Sequence, residues 1–591
     1  MESAVKTILS IGLLLMLAAC GGGGGGKSGG DAAAPACTYS ASVEVDVTDS
    51  NAHPTDAEAS RFLHQASFGP SSASITALKK GSFPTWLARQ MEQPQVSHLD
   101  CVKMEQARLG AVDQTHFLQS FWGQAITGRD QLRQRVTFAL SQILVVSFEG
   151  VLSEDVRSVA SYYDMLGKNA FGNYRNLLQD VSMHPAMGAY LSHLRNQKEN
   201  SSGRVPDENY AREVMQLFSI GLYQLNNDGT LKLDGNGKPI ETYTNADVSG
   251  LAKVFTGFSH GGADTTNNRF WGSVRDPNYN VIPMQGYPQY HSVSAKTFLG
   301  VTIPASGTAT TANIASELKT ALDTLFNHPN VGPFIGKQLI QRLVKSNPSA
   351  AYVNRVATAF NTGYTALAPT IGSGQRGDMR ATIAAILLDA EARPASLPSN
   401  EGKLREPVVR LANWARAFDV ASSTGLWRIG NTDSTTNSLG QSAMRSPSVF
   451  NYYRPGYVPP NTQTATLGMV SPEMQITHET SVAGYLNYMQ STVQNGVGPT
   501  VSGARENRTN YVNELAVADD STALINRVDL LLTRGAMKAL TRTSIKNAVD
   551  AVAIPTGSTS SASSAANLAR QRRVWLTVFL TMASPDYLVQ K

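Results

Sequence analysis

The densest group of residues able to do acid–base chemistry is Glu208-Asn209-Tyr210-Ala211-Arg212-Glu213. On a helix, Glu208 and Arg212 stand four residues apart on one face, a spacing that pairs them by roughly a few tenths of a kcal/mol when exposed. Glu213 lies five residues beyond Glu208, which at about 100° per residue turns it roughly 140° away. The two carboxylates therefore cannot converge from one helix, and a paired acid/base site would need His184, Asp247 or His291 brought in by folding. Two readings stand for His184, Glu208, Arg212, Glu213, Asp247 and His291: a polar functional site, or a buried structural network.

Other strings offer less. Gly257-Phe258-Ser259-His260-Gly261 fits the nucleophile-elbow pattern, but that motif requires a strand before the serine and a helix after it. Here a helix is expected before and a loop after. His478-Glu479 has no second histidine three positions on, so the zinc-protease pattern is missing. Asp228, Asp234 and Asn236 suggest calcium only until the terminal glutamate of a calcium loop is sought. A hairpin turn at Asp234-Gly235-Asn236-Gly237, between residues 231–233 and 240–242, explains them instead. Neither a metal site nor a cofactor motif is expected.

The elements that would position these residues read as helices. Thr55-Asp56-Ala57-Glu58 is a capping box, and Ala59, Phe62, Leu63 and Ala66 follow at helical spacing until Gly69-Pro70. A longer helix is predicted from Asp130, with Leu132, Val136, Ala139, Leu140, Ile143 and Leu144 as its apolar stripe and Arg129, Arg133 and Arg135 beside it. Pro185 suits a first helical position. Asp207 is expected to cap the segment containing Tyr210 and Val214, and Thr244 the one containing Val248 and Leu251. Further helices are predicted over 333–345, 349–361, 407–418 and 567–583. The fold class is mainly α, a large multi-helix globular body with a small β-hairpin and long irregular loops. Residues 425–468 read as an irregular excursion, and 556–566 as a mobile low-complexity linker. The aromatic run from Phe450 to Tyr457 would stack on sugar faces or hold a partner if exposed, and pin the loop to the body if buried.

The N-terminus sets the location. Lys6, an apolar stretch from Ile8 to Met16 and Leu17-Ala18-Ala19-Cys20 follow the order of a secretory signal. The apolar stretch is shorter than the roughly 20 residues a spanning helix needs. It resembles a bacterial lipoprotein signal, which implies cleavage after residue 19, acylation of Cys20 and, with Gly21 rather than aspartate next, an outer-membrane destination facing periplasm or cell surface. Residues 20–54, Gly-rich at the start, form a tether, and 55–591 the folded body. Charged residues are only 16 % of the chain and the net charge is +5, which argues against nucleic acid as a partner. Cys37 and Cys101 remain after lipidation, and an oxidising compartment makes a disulfide between them plausible beside the alternative of two thiols.

Several segments together resemble the bacterial domain of unknown function 1800 family: Arg61-Phe62-Leu63 with Ala66-Ser67-Phe68-Gly69-Pro70, Arg129 to Val136 with Leu140-Ser141-Gln142, His184-Pro185-Ala186-Met187, Glu208 to Glu213, Thr256-Gly257-Phe258, His291 with Lys296 to Gly300, and Ser584 to Gln590. Two positions depart from the family pattern. His291-Ser292 stands where the family often has His-Asp, and Phe258 where it has tryptophan. The first removes the carboxylate that a metal or acid role there would use. The resemblance implies a secreted or envelope setting and a protein partner, and no reaction. The sequence thus points to an envelope lipoprotein that binds or assembles, with a polymer hydrolase acting through Glu208 as the alternative.

Overall fold

Thr55 opens the folded body by a reciprocal cap: the Glu58 N–H donates to its hydroxyl at 3.3 Å, and its own N–H donates to the Glu58 carboxylate at 2.9 Å, starting helix Asp56–Ala66. The computed structural model describes residues 37–40, 43–394, 401–557 and 559–591, all within one unit, residues 36–591. The lipobox and Cys20 lie outside the described residues. Among the described residues, 24 α-helices alternate with short strand pairs, so the chain is mainly α.

Local signals explain most helix starts. Pro185 is the first residue of helix Pro185–Tyr190, where its missing N–H costs nothing. Thr244 and Asp247 form another capping box, at helix Asn245–Val254. Ser349 caps Ala350–Thr362, and Pro407 begins Pro407–Ala417. Helix Val331–Leu343 packs on Ala350–Thr362, which packs on Met379–Leu388. Helix His98–Leu109 lies against Gln114–Thr127 and Val156–Asn169. Their inward faces join one continuous core that takes in Trp122, Trp414 and Trp427.

Four expectations change. The helix predicted from Asp130 is Gln131–Ser141, and it ends before Ile143 and Leu144, which remain buried in the following turn. Helix Asn209–Gln216 has Glu208 at its N-cap position, so it opens one residue later than predicted, while the Asp207 side chain still accepts from the Asn209 N–H at 2.8 Å. The hairpin at 231–242 forms only isolated bridges, such as Leu233 with Pro239. Three-residue and five-residue strands pair instead at Lys296–Phe298 with Val301–Ile303 and at Val497–Val501 with Ala504–Arg508. Finally, residues 560–566 are no linker but the opening turns of helix Ser560–Ala583, capped by Thr559. Alanine is the best helix former, and low complexity concealed that.

Residues 425–468 are irregular apart from the short helix Gln463–Thr466. The excursion is nonetheless fastened: Trp427 and Tyr453 are buried, the Ser147 hydroxyl donates to the Ser446 carbonyl at 2.7 Å and the Phe148 N–H to the Met444 carbonyl at 2.8 Å. Strand Lys403–Leu404 pairs antiparallel with Val589–Gln590, so the chain end closes against the middle of the sequence.

Cys37 and Cys101 are joined by a disulfide that spans 64 positions. It ties the start of the described chain to helix His98–Leu109, and the Cys37 N–H also donates to the buried Glu105 carboxylate at 2.7 Å. Closing a loop of this length stabilises by about 2–4 kcal/mol, chiefly by restricting the unfolded chain. A Cys37→Ser, Cys101→Ser double variant is expected to lose that amount in denaturant unfolding. An unchanged midpoint with unchanged m-value would contradict it.

Candidate functional site

The six polar residues singled out by sequence occupy three separate settings. Glu208 and Arg212 form a solvent-exposed pair, 3.2 Å apart and each nearly 40 % exposed. Glu208 also accepts from the Ser249 hydroxyl at 2.5 Å, tying its helix to Asn245–Val254. Asp247 lies two residues from Ser249 but caps its own helix and accepts from the Leu299 N–H at 2.7 Å. Partial burial works against its ionisation, and the hydrogen bonds from Thr244 and Leu299 prevail and hold its carboxyl below the usual range. Glu213 points inward, as the helical geometry requires. Burial pushes its carboxyl up against the pull of Arg212.

His291 is buried and belongs to a different assembly. Its Nδ1 is 2.7 Å from the Thr256 carbonyl and its Nε2 2.9 Å from Glu317, which also pairs with Lys296 at 2.8 Å. Both ring nitrogens are thus held by partners inside the fold, one by backbone and one by a carboxylate. Burial opposes ionisation of Glu317, yet His291 and Lys296 outweigh it and keep its carboxyl below the ordinary range. Ser292 donates to Glu199 at 2.9 Å.

His184 is elsewhere again, at the N-cap of helix Pro185–Tyr190. Its Nδ1 accepts the Ala186 N–H at 3.2 Å, and its Nε2 is 3.2 Å from the Ser161 hydroxyl. A neutral imidazole that accepts at Nδ1 carries its proton on Nε2, so it donates to Ser161 and cannot take that serine's proton. Burial lowers the His184 pKa to about 3. A cleft of about 650 Å³ lies beside it, lined also by Asp164, Lys168 and Asp180. Of the six residues, His184 is the one that lines this cleft. The elbow serine fares no better: Ser259 is fully buried and its hydroxyl donates to the Phe270 carbonyl at 2.6 Å. Asp228 and Asp234 accept bonds within their own turns, and His478 precedes helix Glu479–Asn495.

The largest concentration of buried charge escaped the sequence. Arg135 and Gln142, Arg342 from helix Val331–Leu343, Lys403, Glu406, Glu473 and Tyr453 from the excursion meet in the interior. Glu406 accepts from Gln142 and Tyr453 and lies 3.9 Å from Arg135. Lys403 pairs with Glu473 at 3.1 Å and donates to the Arg342 carbonyl at 2.8 Å, while Arg135 reaches that same carbonyl at 2.5 Å. Desolvation disfavours both carboxylates, but Lys403, Arg135 and the hydrogen bonds hold Glu406 below the usual range. Glu473, buried and beside the Glu406 charge, is pushed up despite Lys403. Arg135 was legible in principle: it sits three residues after Leu132 and four before Ala139, inside the apolar stripe rather than beside it.

Fold and polar centre together define a mainly α-helical globular protein with an ionic network in its interior. A family model described as a protein of unknown function (DUF1800) matches residues 61–589, and the chain belongs to that family. No curated protein and no solved structure matches it.

Proposed function

We propose that the chain is a lipid-anchored, non-catalytic binding or assembly protein of the bacterial cell envelope. Its anchor is an acylated Cys20 and its body faces periplasm or cell surface from the outer membrane, with an envelope protein as partner. One observation carries the non-catalytic part: Glu208, His184, Asp247 and His291 are each engaged in a cap, an exposed pair or a buried bond, in three separate settings, while Glu213, buried with one carboxylate oxygen unpartnered, turns away from Glu208 on their common helix. The hydrolase alternative would use Glu208 with His184, Asp247 or His291. It finds Glu208 on the surface, already engaged by Arg212 and Ser249, with His184 and His291 each held by other partners.

The anchored part rests on the signal and lipobox in the sequence. The Cys37–Cys101 disulfide agrees with an oxidising compartment. Among the described residues no helix is long and apolar enough to cross a membrane, so attachment at Cys20 would have to come from acyl chains, more than one of which is needed for stable anchoring. Purification from detergent-solubilised membranes tests the assembly role: a second envelope protein is expected to co-elute in fixed ratio. Recovery of the chain alone in every mild detergent would contradict it.

A further inference from the structure

The C-terminal third carries a site that neither the motifs nor the family resemblance touches. Between the end of helix Glu479–Asn495, the hairpin Val497–Val501/Ala504–Arg508 and helix Ser560–Ala583 lies a cleft of about 500 Å³. A second, of about 610 Å³, adjoins it and shares Thr492, Gly496 and Arg505 with the first. Each is within the size range of ligand pockets. Gly496 sets the bend between helix and hairpin: its φ is +85°, and a Cβ there would stand 2.4 Å from the Asn507 carbonyl oxygen. The floor is fixed by a relay in which Trp414 donates to the Tyr511 hydroxyl at 2.9 Å and Tyr511 to the Val493 carbonyl at 3.0 Å. The site is therefore built on braced elements rather than on a free loop.

Its lining has a distinct chemistry. Four carboxamides, Gln494, Asn495, Asn510 and Gln571, border the first cleft together with Arg508 and the half-buried Trp575. A carboxamide both donates and accepts, which suits adjacent hydroxyls on a ring. An indole offers a broad apolar surface for the C–H face of a pyranose. Neither cleft is lined by an aspartate or glutamate. Arg505 spends one N–H on the Gly498 carbonyl and Arg428 pairs with Glu506, leaving Arg508 as the guanidinium best placed to take a ligand carboxylate.

We infer that the paired clefts bind an acidic oligosaccharide, a chain of pyranose rings bearing carboxylates, with Arg508 and Arg505 on the carboxylates, the amides on ring hydroxyls and Trp575 against a ring face. The inference deepens the proposed function by naming a ligand class, and it rests on the reading of the chain as a binding protein.

Isothermal titration of the full-length protein in detergent with a hexagalacturonate, and with cellohexaose as the neutral counterpart, tests it. Saturable binding of the hexagalacturonate is expected, with cellohexaose at least about tenfold weaker. Arg508→Ala and Gln571→Ala, both at exposed positions, are expected to weaken the acidic ligand by about tenfold each at unchanged Tm. Trp575→Phe is expected to retain binding while changing the tryptophan fluorescence response. Absence of hexagalacturonate binding by folded protein, or binding indifferent to both substitutions, would overturn the site while leaving the anchored assembly role to co-purification. Shortening of the bound oligosaccharide, with the same substitutions weakening it, would uphold the site and contradict the non-catalytic reading.

Discussion

Glu406→Ala is expected to lower the unfolding free energy by about 3–5 kcal/mol, the range for removing one partner of a buried ionic group and leaving the other uncompensated. The loss follows from what the carboxylate holds. Tyr453 and Gln142 would be left with buried donors and no acceptor, and Arg135 would lose its nearest anion. Because Tyr453 comes from the irregular excursion while Glu406 opens helix Pro407–Ala417, the same change should loosen the 425–468 region. Hydrogen exchange should therefore rise there before it rises in the N-terminal helices. The comparison that separates burial from charge is Glu208→Ala: that exposed pair contributes roughly 0–1 kcal/mol after solvent screening. Equal losses for the two variants in urea unfolding would contradict the placement of the ionic centre.

Stability is expected to fall steeply in mild acid, and His184 supplies one identifiable share. Its folded-state pKa of about 3 lies below the ordinary 6.5 because burial disfavours the imidazolium. The unfolded chain binds a proton near pH 6.5 while the folded one does not. Stability is thus fully present above pH 6.5 and is lost as pH falls toward 3, by roughly 4–5 kcal/mol at 1.36 kcal/mol per pH unit. His193, with a pKa lowered to about 4 by burial, acts in the same direction. His184→Asn keeps an N-cap acceptor for the Ala186 N–H, since asparagine is a preferred cap, and removes the titration. Its unfolding free energy should depend less on pH between 6.5 and 4, by about one proton. A slope unchanged from the parent protein would show that His184 is not held neutral by burial.

How far these features were legible in sequence depended on their range. The caps at Thr55 and Thr244, the start at Pro185 and the irregularity of 425–468 are local, encoded within four residues or in composition, and the helices follow them. The Glu208–Arg212 pair and the divergence of Glu213 follow from helical spacing alone. What could not be read was which polar residues meet across the chain. Arg135 and Glu406 are separated by hundreds of positions, and the segment that carries Arg135 gives no sign of its partner. His291 was visible, but its partner Glu317 lies in helix Thr311–Asn327 among other polar residues with no signal to distinguish it. Low complexity misled at 560–566, where serine and alanine continue a helix whose buried face supplies the packing that composition does not reveal.

The account turns on attachment at Cys20, and fractionation of cells expressing the parent chain or Cys20→Ala after labelling with an alkynyl fatty acid tests it most directly. The parent chain is predicted to carry the label and sediment with outer membranes, and Cys20→Ala to be unlabelled and no longer membrane-bound. A parent chain recovered unlabelled in the soluble fraction, or a Cys20→Ala variant that sediments as before, would contradict it.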